Sequence, residues 1–225
     1  MLLAEDLLLL VTDDASGRLR VPPAHADAGL GGARLIELTL MNRVDVSGVD
    51  DQGKPGRLIV RDPSPADDAV LDAALQIIIT NQGRRPSAVI MPLSEKLRHT
   101  LYARLAAAGA LRAEHGRALG VFPTRRWPAQ DASRQAQLRE LVTQALTQQA
   151  LPEARTAALI ALLHALGCEH KIVDPRLHGV SKRQLRERAQ EIAKGSWASE
   201  AVRTAIDEMI AATVAAVAAA SASAG

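Results

Sequence analysis

A stretch of the chain with no polar side lies at residues 156–166, TAALIALLHAL. Nine of the ten residues that follow Thr156 are Ala, Leu or Ile, and only His164 interrupts them. A helix that is apolar on every side is buried in a helical core or in a membrane. Because a membrane-spanning helix needs roughly 20 residues, this stretch is too short to cross a bilayer. The pattern therefore predicts a central helix in the core of a water-soluble domain.

Elsewhere the apolar residues recur on one side only, which is typical of helices that cover a core. Leucine recurs at every fourth residue from Leu93 to Leu105, which predicts one helix over residues 93–108. Arg104 falls close to this leucine stripe, so it must pair with a carboxylate or extend to solvent. Short apolar segments around a polar stretch at 47–56 predict a small β-hairpin. Further helices are predicted over residues 1–11, 32–41, 67–80 and 134–147, after a capping box at Ser181 and Gln184, and from about residue 196 onward.

Together these elements predict a mainly α fold, a single helical domain around the buried central helix, with small β-hairpins. The chain has 225 residues, enough for one sizeable core, and nothing in its composition requires a second domain. Aromatic residues make up only 2% of the chain, so the core must consist of closely packed Leu, Val and Ala. We expect the domain to span residues 1–214. The small, uncharged residues 215–225 should form a frayed tail.

Charge and cysteine usage narrow the function classes. The formal net charge of +2 is too small to indicate a nucleic-acid partner by itself. Cys168 is the only cysteine, which excludes an internal disulfide and fits a reducing cytoplasm. The apolar start of the chain contains Glu5 and Asp6 and lacks a cleavage site, so it is interpreted as a first helix rather than a signal peptide. The predicted location is cytoplasmic.

Candidate catalytic chemistry is sparse. His164 and Cys168 are four residues apart, a spacing that could place two metal ligands on one helix face. A buried histidine and a buried thiol are the commoner meaning of this pattern. The sequence contains no GxSxG, HExxH, phosphate-loop or paired-cysteine motif. We therefore predict a protein that is not an enzyme and has no catalytic residues, cofactor or metal site.

A basic and aromatic segment remains at residues 120–128, GVFPTRRWP. Its prolines and polar centre predict an exposed β-ribbon that presents Phe122, Arg125, Arg126 and Trp127. Aromatic and basic residues together suit an anionic membrane surface. A helix followed by a basic ribbon also suggests a winged-helix nucleic-acid binder. The helix before the ribbon has no dense basic row on its exposed side, which favours the membrane over nucleic acid.

Seven segments carry a resemblance to a known family. In chain order they are LLAEDLLLLVTDD, GLGGARLIELTLMNRVDV, RDPSPADDAVLDAAL, LRHTLYARLAAAGAL, GVFPTRRWP, RTAALIALLHALG and EAVRTAI. Their succession covers nearly the whole chain and resembles the Golgi phosphoprotein 3 family, most closely its bacterial, actinobacterial branch. The resemblance implies a mostly helical single domain around a hydrophobic central helix. Eukaryotic members are peripheral membrane proteins that bind phosphatidylinositol 4-phosphate and link Golgi enzymes to coat and cytoskeleton, so a non-enzymatic adaptor is implied.

The family's headgroup pocket, made of one Trp and three Arg, carries over only in part. By alignment the Trp position falls within residues 21–23, and the three Arg positions fall on Gly31, Glu95 and Arg98. Only Arg98 matches, with Lys96 two residues before it. The loss of three of the four contacts implies weakened phosphoinositide selectivity, because charge-assisted contacts to phosphate supply most of it. Phe122 falls where the family has a hydrophobic hairpin used for self-association and membrane contact.

The resulting hypothesis is a peripheral membrane adaptor that binds anionic or phosphoinositide-like lipid headgroups. Lys96, Arg98, Arg125 and Arg126 are the predicted headgroup contacts. Phe122 and Trp127 are the predicted membrane contacts, or else contacts of a homo-oligomer formed through the 120–128 ribbon. A protein client is implied, but the sequence does not identify it. The alternatives are a winged-helix-like nucleic-acid binder and a cytosolic scaffold with no lipid ligand.

Overall fold

The computed structural model describes residues 1–49, 51, 54–118, 122–148, 151–194, 196 and 204. It confirms the mainly α fold with small β-hairpins. The helices are α1 (Leu3–Val11), α2 (Pro23–Leu40), α3 (Ala69–Thr80), α4 (Ser87–Ser94), α5 (Leu97–Ala107), α6 (Ser133–Thr147), α7 (Ala154–Ala165), α8 (Glu169–Ile172) and α9 (Lys182–Ala193), with a 3-10 turn at Pro175–His178. The strands are β1 (Val44–Val46), β2 (Leu58–Val60), β3 (Glu114–Ala118) and β4 (Phe122–Arg126).

Helices α1, α2 and α7 form the centre of the core. The predicted burial of α7 is confirmed, because every residue from Ala158 to His164 is buried. Helix α1 is buried even more completely, over all nine of its residues, including Glu5 and Asp6. Helix α2 packs against α1, α3, α4, α5 and α7. The centre of the core is therefore a group of three helices, α1, α2 and α7, and not α7 alone.

The predicted helix over residues 93–108 is wrong in one respect, because the structure breaks it into α4 and α5. Lys96 lies between them in the left-handed region, with φ of 55°. The Leu93 carbonyl, near the end of α4, accepts a 2.7 Å hydrogen bond from the buried guanidinium of Arg34. Leucines on both helices face the same core, so their four-residue spacing continues across the break. The leucine spacing therefore could not reveal the junction.

The predicted helix over residues 32–41 begins earlier than expected, at Pro23. Gly29, Gly31 and Gly32 lie inside α2, where glycine normally weakens a helix. A Cβ atom built on Gly31 would lie 2.4 Å from the Ile90 carbonyl oxygen of α4. Glycine at this position therefore allows the backbones of α2 and α4 to approach closely.

This close approach gives the first prediction. Gly31→Ala should lower stability by about 1–3 kcal/mol, because the added methyl group meets a backbone atom that cannot move aside. Thermal melting measures the loss. Gly29→Ala is the matched control in the same helix, since its Cβ would meet the Leu166 side chain at 3.0 Å, which can shift. Equal melting temperatures for Gly31→Ala and the wild type would contradict the close crossing.

Two antiparallel hairpins complete the described fold. In the first, which was predicted, Val44 pairs with Val60 and Val46 with Leu58. In the second, Glu114 pairs with Arg126 and Ala118 with Phe122. Of the helix predicted from about residue 196 onward, the structure describes only residues 196 and 204. The predicted tail at 215–225 lies outside the described residues.

Two predictions about polar side chains on helices are confirmed, the pairing of Arg104 with carboxylates and the capping box at Ser181 and Gln184. Arg104 does find carboxylates, since it donates to Glu5 at 2.8 Å and to Asp68 at 2.9 and 3.0 Å. The capping box is present, with reciprocal hydrogen bonds between Ser181 and Gln184. Within the described part of the chain, no helix combines the length and apolarity needed to cross a bilayer.

The His164 and Cys168 pair is part of the core. The Cys168 thiol is buried, which raises its pKa to about 12, and His164 Nδ1 lies 3.8 Å from the Glu169 carboxylate. Among the described residues there is no group of three or more His, Cys, Asp or Glu side chains able to hold a metal ion.

Candidate functional site

A surface cleft with a volume of about 1040 Å³ is built from three separate parts of the chain. One wall is the segment from Gly17 to Pro23, which connects α1 to α2. A second wall is the junction of α4 and α5, from Met91 to His99. The third is the end of the β3–β4 hairpin, where Arg125 and Trp127 line the cleft. The cleft exists because the helix break at Lys96 and the hairpin meet the α1–α2 connection.

Two stacked aromatic rings support the cleft. The rings of Trp127 and Tyr102 are nearly parallel, with centroids 4.9 Å apart. The Tyr102 hydroxyl lies 3.0 Å from the Thr12 hydroxyl oxygen. The backbone N–H of Trp127 donates to the Gly17 carbonyl at 3.2 Å, which attaches the hairpin to the α1–α2 connection. The stack therefore fixes the hairpin beside α5.

This arrangement corrects the expectation that Trp127 is exposed on the ribbon. Trp127 is only 8% exposed. Its ring stacks on Tyr102, and so little of its surface remains to enter a membrane or a partner subunit. The cause lies in tertiary contacts with two distant segments, which the local sequence GVFPTRRWP does not contain.

The structure brings together three of the four predicted headgroup residues, Lys96, Arg98 and Arg125, all of which line the cleft. The guanidinium carbon of Arg125 lies 5.6 Å from the centre of the Trp127 ring, within the range of a cation–π contact. Arg126 does not line the cleft. It is opposite Glu114 in the hairpin register.

Two further residues that could bind an anion were not identified from the sequence. Arg18, which is exposed, and His99, the neighbour of Arg98, both line the cleft. Arg18 lies just after a turn, 80 residues before Arg98, and nothing in its local sequence indicates that the two line the same cleft. For His99 a signal existed, because it directly follows the predicted contact Arg98.

Two carboxylates oppose these cations. Asp27 of α2 lies 3.2 Å from Arg98 Nε, and both side chains are about one-third exposed. Burial raises the pKa of Asp27, while the positive charge of Arg98 acts in the opposite direction. Glu95 lies 3.6 Å from Lys96 on the exposed rim. Four cationic side chains and two carboxylates leave the cleft with an excess of positive charge.

The start of α5 adds to this positive character. The first backbone N–H groups of any helix have no partner within the helix, and the helix dipole places partial positive charge there. Lys96 is the N-cap residue of α5, and its side chain makes no capping hydrogen bond. Leu97, Arg98 and His99 form the first turn and line the cleft. An anion bound here would meet both side-chain cations and the helix terminus.

Phe122 is the first residue of β4 and pairs with Ala118. The hairpin tip at residues 119–121 and the side chain of Phe122 lie outside the described residues. The predicted membrane or oligomer contact of Phe122 therefore stays a prediction.

The fold and the cleft define a mainly α domain with a basic, anion-attracting surface cleft supported by stacked aromatic rings. A family model described as Golgi phosphoprotein 3 (GPP34) matches residues 3–209, and the chain belongs to this family. A search of curated proteins found no match to the sequence.

The positions aligned with the family's headgroup residues are divided between the cleft and the core. Val21, Pro23, Glu95 and Arg98 line the cleft. Gly31 packs against the Ile90 carbonyl instead, and a side chain at this position would overlap the α4 backbone. The close crossing of α2 and α4 therefore leaves no room for an arginine at residue 31, where the first of the family's three headgroup arginines aligns.

Proposed function

We propose that the protein is a non-enzymatic peripheral membrane adaptor that uses the cleft to bind a phosphate-bearing lipid headgroup. The observation that carries this proposal is the convergence of Arg18, Lys96, Arg98 and Arg125 on one cleft at the start of α5. Membership of the Golgi phosphoprotein 3 family supports an adaptor role.

The size and lining of the cleft suit a headgroup. Ligand pockets in proteins have volumes of roughly 300–1,000 Å³, so a cleft of about 1040 Å³ has room for a phosphorylated sugar or polyol. Met91, which is 44% exposed, and the exposed Pro92 lie on the same cleft. Apolar side chains beside cations are expected where a protein meets the headgroup layer of a bilayer. Their presence favours a lipid over nucleic acid.

Three family headgroup positions differ in this chain, so we propose anionic or phosphoinositide-like lipid as the ligand class. Phosphatidylinositol 4-phosphate is the first phosphoinositide to test. Each cation near an anionic surface contributes about 1 kcal/mol, and salt screens this attraction. Headgroup binding alone should therefore be weak and reversible. Phe122 or self-association through residues 120–128 is proposed to strengthen it by adding a second contact.

Arg98→Ala is the central test of this proposal. Loss of a charge-assisted hydrogen bond to phosphate should weaken binding to anionic vesicles by roughly tenfold or more. Stability should change by less than about 1 kcal/mol, because the Arg98–Asp27 ion pair is partly exposed. Co-sedimentation with phosphatidylcholine vesicles that contain phosphatidylserine or phosphatidylinositol 4-phosphate measures the binding.

The matched control is Arg85→Ala. Arg85 is exposed and does not line the cleft, so its removal changes the net charge equally without touching the proposed site. Equal binding by wild type and Arg98→Ala would remove Arg98 from the site. Binding to duplex DNA but not to vesicles would favour the nucleic-acid alternative. Binding to neither would favour a scaffold with no lipid ligand.

A further inference from the structure

An ion pair between Asp27 and Arg98 lies within the cleft to which the proposed function assigns anion binding. It places a carboxylate 3.2 Å from the arginine that the proposed function assigns to the headgroup. A carboxylate and a phosphate are both anions that bind guanidinium groups with the same geometry. An incoming phosphate must therefore compete with a carboxylate that is already in place.

The ion pair contributes little to the fold. Both side chains are partly exposed, and exposed ion pairs typically stabilise a protein by about 0–1 kcal/mol. Burial also disfavours the charged form of Asp27, which raises its pKa. The contact thus keeps a partly desolvated negative charge in a cleft that has an excess of positive charge. It adds little to the stability of the fold.

Arg98 is an ion-pair partner of Asp27 in the cleft. The other charged side chains that line the cleft are Arg18, Glu95, Lys96 and Arg125, with His99 beside Arg98. Glu95 is the second carboxylate, and it lies on the exposed rim beside Lys96. The two carboxylates therefore differ in position. Asp27 contacts Arg98, whereas Glu95 contacts Lys96 and adds only to the general charge of the cleft.

We propose that Asp27 is an internal competitor for Arg98 that limits the affinity of the cleft for phosphate-bearing headgroups. This inference rests on the proposed function of the cleft. The Asp27 carboxylate engages Nε of Arg98 and repels any second anion that approaches. A headgroup must displace the carboxylate or bind beside it, so affinity is lower than the four cations alone would provide.

Asp27→Asn gives a direct test, because it removes the charge and keeps the shape and an oxygen that can still accept from Arg98. Two unit charges about 4 Å apart interact, even in bulk water, by an energy equivalent to roughly a fivefold change in affinity. We therefore expect Asp27→Asn to bind phosphatidylserine vesicles about fivefold more tightly or better. The gain should be larger with phosphatidylinositol 4-phosphate, whose monoester phosphate carries more charge. Vesicles of phosphatidylcholine alone should show no gain.

Two variants separate competition from general charge. Glu95→Gln removes the same charge from the rim and should produce a clearly smaller gain than Asp27→Asn. Arg98→Ala combined with Asp27→Asn should gain little over Arg98→Ala alone, because the competitor has lost the group for which it competes. A soluble inositol phosphate, monitored by thermal shift, shows whether a free phosphate compound binds as the lipid headgroup does.

The outcomes are distinct. If the wild type and Asp27→Asn both fail to bind every anionic vesicle and the inositol phosphate, the proposed function fails and this inference fails with it. If the wild type binds but Asp27→Asn binds equally, the competitor role is wrong and the proposed function stands. If Asp27→Asn binds more weakly, Asp27 positions Arg98 or contacts a cationic part of the ligand, and the inference is overturned. An equal gain in the Arg98→Ala background would also overturn it.

Discussion

Leu162→Asp should unfold the protein. Leu162 lies on α7 and is completely buried among apolar side chains. A carboxylate at this position would have no partner and no water, and buried unpaired charges are among the most destabilising changes known. We expect a loss of about 4 kcal/mol or more, against a total stability of roughly 5–15 kcal/mol for a domain of this kind. Circular dichroism at increasing temperature measures the loss.

Leu141→Asp is the matched control for this experiment. Leu141 lies on α6 with 47% of its surface exposed, so a carboxylate there remains in water. Its substitution should change stability by less than about 1 kcal/mol. A Leu162→Asp protein that melts together with Leu141→Asp would show that α7 is not in the core.

The helical fold was predictable because hydrophobic periodicity records which side of an element faces the core. Residues 156–166 and the leucines from Leu93 to Leu105 were identified in this way, and the structure buries these leucines and residues 158–164. The same periodicity could not show the break at Lys96. Both helices face one core, and the Leu93 carbonyl is satisfied by Arg34, a residue from another helix. Helix boundaries that depend on such tertiary contacts leave no local pattern.

The start of α2 was missed for a related reason. The helix was predicted to begin at residue 32, the last of three glycines within four residues, and glycine inside a helix normally weakens it. In the structure the missing side chain at Gly31 allows α2 to cross α4 at close range. The packing of α2 against α4 outweighs the low helix propensity of glycine. The use of glycine is therefore explained by the neighbouring helix α4 and not by the local sequence.

The candidate site was predictable in part. Arg98 and Lys96 were identified through the family resemblance, and Arg125 through its position in a basic ribbon. Arg18 and Asp27 were not, because Arg18 joins the cleft through the fold of the α1–α2 connection and Asp27 through the packing of α2 against α5. Trp127 was assigned to the surface because nothing near it in the sequence covers it. Its cover is Tyr102, 25 residues earlier in the chain.

The second large effect is expected at the buried carboxylate of Asp6 on α1. Asp6 is fully buried, and its two oxygens accept from Arg134 at 2.9 Å and from Arg155 at 3.1 Å. Arg155 also donates to Glu37 at 2.9 Å and to the Met1 carbonyl at 2.8 Å. The two arginines join α6 and α7 to the start of α1. The two arginine side chains are partly exposed, whereas the carboxylates of Asp6 and Glu37 are buried.

Removing both arginines should therefore lower the free energy of unfolding by more than the loss of their own hydrogen bonds would. The Arg134→Ala, Arg155→Ala double variant leaves Asp6 as a buried charge without either arginine. Breaking a buried ion pair from one side typically destabilises a protein by about 3–5 kcal/mol. We expect a loss in this range by chemical denaturation. The control, Arg183→Ala with Arg186→Ala, removes two exposed arginines of α9 and should change stability by less than about 1 kcal/mol.

A rescue experiment identifies the cause of this loss. Adding Asp6→Ala to the double variant removes the more deeply buried of the two carboxylates that lose an arginine, the other being Glu37, and should recover part of the lost stability. Recovery is expected because a small apolar side chain costs less in this place than an unpaired carboxylate. If the triple variant is instead less stable than the double variant, Asp6 must reach water or another donor once the arginines are gone. The arginines would then stabilise the packing of α1, α6 and α7 through their contacts alone, rather than by neutralising a buried charge.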